Sequence, residues 1–170
     1  MTYEELLIEA DKAGLTVREK PLRESDGRIN GRRIAIRKNI QTSVGKACVM
    51  AEELGHWHTS AENIPDQDEV ENRKQEHRAR LWAYDHMIGL EGIVSAAKAG
   101  CRNAYEIADH LGVTEEFLQE SLNTYRGKYG QYAVINTCLI SFEPSLYVYR
   151  ATPVLDFPQN SSGQPELDAG

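Results

Sequence analysis

Near the start of the chain, Leu6, Leu7 and Ala10 recur at helical spacing behind Thr2, with Glu5 three residues on from it. This predicts a helix over residues 2–13, opened by a capping box and ended at Gly14. Beyond it the period shortens. Leu15-Thr16-Val17 and Arg33-Ile34-Ala35-Ile36-Arg37 flank a Gly- and charge-rich stretch at 26–32, the pattern of a β-hairpin or of paired strands. Val44, Ala47, Cys48, Ala51 and Gly55 then return at three- and four-residue intervals over 44–58, which describes a helix with one face of small residues. The interval 59–68 contains Pro65 and no period, so a loop is expected before a second helix over 69–88, whose stripe is Glu76, Ala79, Ala83 and Met87. Two short amphipathic segments over 104–118, joined by a turn at Gly112 with Thr114 placed to cap the second, give a helix-turn-helix outline. Residues 131–150 are rich in Val, Ile, Tyr and Phe and interrupted by Pro144, which predicts two terminal strands. The last stretch, 151–170, combines three prolines, two serines and several acids, the composition of a disordered tail.

These segments imply an α+β fold: a small N-terminal sheet packed on two helices, with a helical subdomain behind them. The boundaries fall at 1–100 for the main domain, 101–130 for the helical subdomain, 131–150 for the terminal strands and 151–170 for the tail. At 170 residues with 41% apolar side chains, the chain can bury one sizeable core. A formal charge of −7 and a pI near 5.3 argue against tight binding to a polyanion, which needs clustered Lys and Arg. No run approaches the ~18 consecutive apolar residues of a transmembrane helix. The start, with Glu4 and Glu5, lacks the basic-then-apolar form of a signal peptide, so a cytoplasmic protein with no membrane partner is expected. Cys48, Cys101 and Cys138 are an odd, widely spaced set among apolar residues, which suggests three buried free thiols rather than a disulfide framework or a metal knuckle.

Chemistry concentrates in Ala51-Glu52-Glu53-Leu54-Gly55-His56. Residues at i and i+4 of a helix project from one face, so Glu52 and His56 can reach a single ion. In the zincin signature HExxH the outer histidines are ligands, and the carboxylate after the first is the general base that activates water. Here the run reads EExxH, which keeps the base position at Glu53 and one ligand at His56 while a carboxylate, Glu52, replaces the first imidazole. Glu76 offers a third donor: its stripe turns it toward the core, where an ionised group is costly unless paired or bound to a metal. Asn72, Arg73, Lys74 and Arg78 would then lie on a solvated opposite face.

The run Val49-Met50-Ala51-Glu52-Glu53-Leu54-Gly55-His56, followed after a gap by Glu76-His77-Arg78-Ala79-Arg80-Leu81-Trp82-Ala83, resembles the ImmA/IrrE metallopeptidases. Members of that family show HELGH, then a helix of the form E-x-x-A-x-x-aromatic-A, then a helix-turn-helix-like segment like the one here at 107–118. The resemblance covers roughly residues 1–130. It implies a minimal zincin-like metallopeptidase domain, metal contacts at His56 and Glu76, a further one at Glu52, and the general base at Glu53. Glu52 departs from the commonest pattern and is either a ligand or a carboxylate that fixes the His56 tautomer from behind. Zinc is the cofactor the resemblance implies, and two carboxylates with one imidazole also suit Mn²⁺ or Fe²⁺. The implied activity is hydrolysis of a peptide bond in a regulatory protein, a helix-turn-helix repressor of a phage or mobile element.

Blander readings stand beside these. An ExxxH pair alone more often stabilises an exposed helix than binds metal. His58 lies about 200° round the helix from His56, His77 reads as a surface residue, and His86 reads as a satisfied core histidine near Trp82. Trp57 and Trp82 are most simply core residues. Gly55 costs ~1 kcal/mol against Ala inside a helix, which suggests close approach by another backbone or by substrate. Two further functions compete with hydrolysis: a binding module that kept the fold but lost efficient catalysis when Glu52 took the place of a histidine, and a DNA-contacting regulator using 104–126. Glu115, Glu116 and Glu120 on the second helix of that outline would repel phosphate and disfavour the last.

Overall fold

A computed structural model describes residues 1–59 and 69–150. Most of the expected loop at 59–68, and the whole of the tail at 151–170, lie outside the described residues. The element order is α1 (Tyr3–Lys12), β1 (Thr16–Lys20), β2 (Gly27–Asn30), β3 (Arg33–Arg37), α2 (Ser43–Thr59), α3 (Glu69–Met87), α4 (Gly89–Lys98), α5 (Ala104–Leu111), α6 (Glu115–Tyr129), β4 (Tyr132–Ile135), β5 (Cys138–Ser141) and β6 (Tyr147–Arg150). The α+β class read from the sequence holds.

The local signals act as their chemistry dictates. Thr2 Oγ1 accepts the Glu5 N–H at 3.2 Å while the Glu5 carboxylate accepts the Thr2 N–H at 2.7 Å, so α1 opens with the full capping box. In the helix-turn-helix outline, Asn103 caps α5, Gly112 closes it at φ 66°, and Thr114 Oγ1 accepts the Phe117 N–H at 3.1 Å to start α6. Gly112 is required there because only a residue without Cβ takes that left-handed turn at little cost.

The N-terminal sheet has the order β1-β3-β2. Its β1 runs parallel to β3, with Thr16 opposite Arg33, and β2 pairs antiparallel with β3 through a tight turn at Gly31. The stretch expected to be a plain connection thus contributes an edge strand, β2, and the hairpin is β2–β3 rather than the two flanking segments. Ile34 and Ile36 face inward and are fully buried, which leaves Arg33, Ala35 and Arg37 on the outer face.

The second sheet, β4-β5-β6, is antiparallel throughout. It has three strands where two were expected, because β4 and β5 are joined by a two-residue turn, Asn136-Thr137, at which Asn136 adopts a positive φ of 53°. Helix α4 was not foreseen at all. Ile88 stands at its N-cap with no side-chain hydrogen bond, so the usual start signal is missing. Helix α2 is the hub, packing against α1, α3, β2 and β3, so the sheet reaches the helix pair through α2. Leu6, Ile34, Met50, Leu54, Tyr84, Ile93, Leu118 and Ile140 belong to one continuous core. Cys48 and Cys138 are buried free thiols as expected, whereas Cys101, just beyond the end of α4, is only partly covered. None of the helices among the described residues is long and apolar enough to cross a membrane.

Candidate active site

The close crossing of α2 and α3 sets the site. Gly55 packs directly on the backbone of Ala79, and a Cβ at 55 would collide with the Ala79 carbonyl oxygen. Ala51, Ala79 and Ala83 are fully buried in the same contact. The small-residue face of α2 and the alanine stripe of α3 therefore let the two axes approach, which is the reason for Gly55 that helical propensity alone could not supply. One residue past Gly55, His56 projects toward α3 and meets Glu76.

His56 Nε2 lies 3.4 Å from Glu76 Oε2. That is longer than the ~2.7–2.9 Å of a charge-assisted hydrogen bond. It is close to the ~3.3 Å separating two donors that share a tetrahedral ion with bonds of ~2.0–2.1 Å. The other oxygen of Glu76 is taken up by Arg80 Nε at 2.8 Å, one turn along α3, which fixes the carboxylate plane. Glu76 does not turn into the core as its stripe suggested: its side chain is 46% exposed. Arg80 and His56 hold it at the rim, half-exposed.

Glu53, one turn before His56 on α2, lies under the edge strand β2. It is 8% exposed, and Gly27 makes room for it, since a Cβ at 27 would strike the carboxylate. Burial, with the charges of Glu52 and Glu76, pushes its pKa up to about 7, and the Ile29 backbone N–H offsets part of that. Glu53 and His56 line one open cleft of about 600 Å³, bounded by the 22–25 loop and by Gly27, Arg28 and Ile29.

Glu52 lies in a neighbouring depression with Asp26, Arg80, Glu116 and Glu120. Burial raises its pKa to about 7; the Arg80 guanidinium pulls it down, and Glu120, Glu76 and Asp26 push it up. The structure thus joins His56 with Glu76 and places Glu53 beside His56, but gathers no third donor: among the described residues no group of three His, Cys, Asp or Glu side chains is arranged around one point. His56 and Glu76 fit as two donors to a divalent cation, held in place by Arg80.

The other histidines stand apart from this pair. His58 and His86 both stack on Trp82, each with ring centroids 4.4 Å away, and His86 Nε2 bonds Glu9 at 2.8 Å. His77 is exposed. Trp57 and Trp82, expected in the core, are only partly buried and pack against it. Arg80 and Gly27 are the residues the sequence reading missed. The i, i+4 spacing from Glu76 was the available signal for Arg80, while only the strand pairing reveals Gly27.

A peptidase family model described as IrrE N-terminal-like domain matches residues 10–123, more than half of the chain and inclusive of every residue of the pair and the cleft. No match was found among curated proteins or solved structures.

Proposed function

The chain belongs to the IrrE N-terminal-like family of peptidases, and from that premise we propose that it is a metal-dependent endopeptidase acting on a regulatory protein. The observation that carries this is the His56–Glu76 pair at 3.4 Å with Glu53 in the adjoining cleft. His56 and Glu76 would hold a divalent cation, Zn²⁺ by the ligand preference of such sites, with Mn²⁺ or Fe²⁺ also suited to a carboxylate-bearing set. When bound, that cation supplies Lewis acidity to the scissile carbonyl. Arg80 keeps Glu76 in orientation. Glu53 takes a proton from the attacking water and delivers it to the leaving amine, and a pKa near neutrality suits both transfers. The regulatory target we favour is a helix-turn-helix repressor. Glu52 serves either as a further donor or as a support for the His56 ring.

Co-expression with a repressor encoded beside the gene tests this. Wild type should cleave the repressor, Glu53→Gln and His56→Ala should leave it intact, and equal cleavage by wild type and Glu53→Gln would remove the base from the mechanism.

A second reading has its own observation. Arg80 already occupies one oxygen of Glu76, and Glu52 lies in a different depression from His56. A module that binds a regulator without cutting it would need nothing more. Retention of an uncut repressor by wild type, with no metal bound, selects that reading.

A further inference from the structure

The outer face of the N-terminal sheet carries a concentration of positive charge that the rest of the chain does not predict. Side chains alternate across a strand, and the register sets Arg18 and Arg28 on either side of Ala35, and Thr16 and Asn30 on either side of Arg33. Inward-facing Ile34 fixes the parity. Arg18, Lys20, Arg28 and Arg33 therefore share the solvent side, and all four are exposed. They line one groove of about 750 Å³ that no acidic residue lines. Among the described residues none of the four makes an ion pair, whereas Arg37, on the same face, is satisfied by Asp26 at 2.9 Å. The whole chain has 19 basic against 26 acidic side chains. Four unpaired cations on one sheet in such a chain are an electrostatic footprint for an anionic partner.

The groove also opens toward the active-site cleft. Leu22 and Arg28 line both. A polypeptide seated beside Glu53 and His56 would pass Arg28 at the edge strand and continue onto the cationic face.

We propose that this face is a substrate-docking surface for an acidic segment of the protein the enzyme acts on, held by Arg18, Lys20, Arg28 and Arg33. The proposal rests on the cleft being where a peptide binds. A single-stranded nucleic acid is disfavoured because no aromatic side chain lines the groove to stack its bases. A duplex is disfavoured because the cations lie across the face of a three-stranded sheet rather than on a helix or two-stranded ribbon that enters a groove.

The test uses full-length protein carrying Glu53→Gln, so that binding is read without cleavage. Labelled Asp/Glu-rich peptide, its Asn/Gln counterpart and a DNA oligonucleotide, single-stranded and duplex, are titrated at low and high ionic strength. The acidic peptide should bind about tenfold or more tightly than the neutral one at low salt, and lose that advantage at high salt. Arg18→Glu with Arg33→Glu should abolish the advantage, and Arg18→Gln with Arg33→Gln should reduce it, each with an unchanged thermal transition. Equal affinity for both peptides, indifference to these substitutions, or binding of DNA but not of the acidic peptide overturns the proposal. Its failure is distinct from failure of hydrolysis: an Arg18→Glu/Arg33→Glu variant that cuts the repressor as well as wild type keeps the enzyme and loses the docking face, and a protein that binds acidic peptide without cutting does the reverse.

Discussion

A carboxylic acid buried at 8% exposure with its pKa raised to about 7 makes opposite demands on stability and on catalysis. The folded state holds a proton on Glu53 that the unfolded chain has released above its ordinary value of 4.5, so the folded protein binds more protons between those two values. The stability contributed by protonated Glu53 is present below 4.5 and is lost as pH rises through 7. Glu53→Gln keeps the shape and removes that loss. In denaturant melts with chelator present, the variant should match wild type near pH 4 and exceed it by about 1–3 kcal/mol at pH 8.5. The same substitution should lower kcat by about 10²–10⁴-fold. A variant that is both more stable and inactive separates loss of chemistry from loss of fold. A second prediction belongs to Arg80, which grips the free oxygen of Glu76. Arg80→Ala should weaken metal binding by about 10–100-fold, as loss of a partner that orients a ligand does, and calorimetric titration with Zn²⁺ would read it.

At the scale of elements, the crossing of α2 on α3 decides whether these side chains meet. Gly55→Ala should cost about 1–3 kcal/mol by overpacking against the Ala79 backbone, and should push the helices apart and weaken metal binding. Melting and metal titration on one sample check both effects. This crossing was partly legible in the residues themselves: the three- and four-residue recurrence of Ala47, Ala51 and Gly55, and of Ala79 and Ala83, states which faces are smooth. Capping residues were equally legible, because Thr2, Glu5 and Thr114 act within their own turn. Elements without such local signals were not. Helix α4 begins at Ile88 with no side-chain cap. Strand β2 is spelled Gly27-Arg28-Ile29-Asn30, residues typical of a connection, and becomes a strand only because β3 offers it a ladder. Tertiary pairing of that kind overrides propensity. The half-exposed setting of Glu76 escaped for a similar reason, since its stripe neighbours said buried and only Arg80 and His56 say otherwise.

For the whole molecule, charge is distributed against its net sign. The acidic groups Glu52, Asp26, Glu116 and Glu120 collect in one depression on one side of α2, with Arg80 among them. Cations gather on the outer face of the sheet beside the cleft. The helix-turn-helix outline closes the body behind α3 through α6, whose first turn carries Glu115 and Glu116 and whose last turn carries Arg126 and Lys128. The match to a peptidase family across residues 10–123 spans the sheet, both site helices and most of that outline, so the site and its frame belong to one inherited unit.

The central claim is that His56 and Glu76 share a cation. Elemental analysis of protein purified without chelator, then dialysed against Zn²⁺ and back, tests it most directly. The account predicts about one metal ion per chain in wild type and near none in His56→Ala with its fold intact. A wild type that emerges folded and metal-free would contradict it.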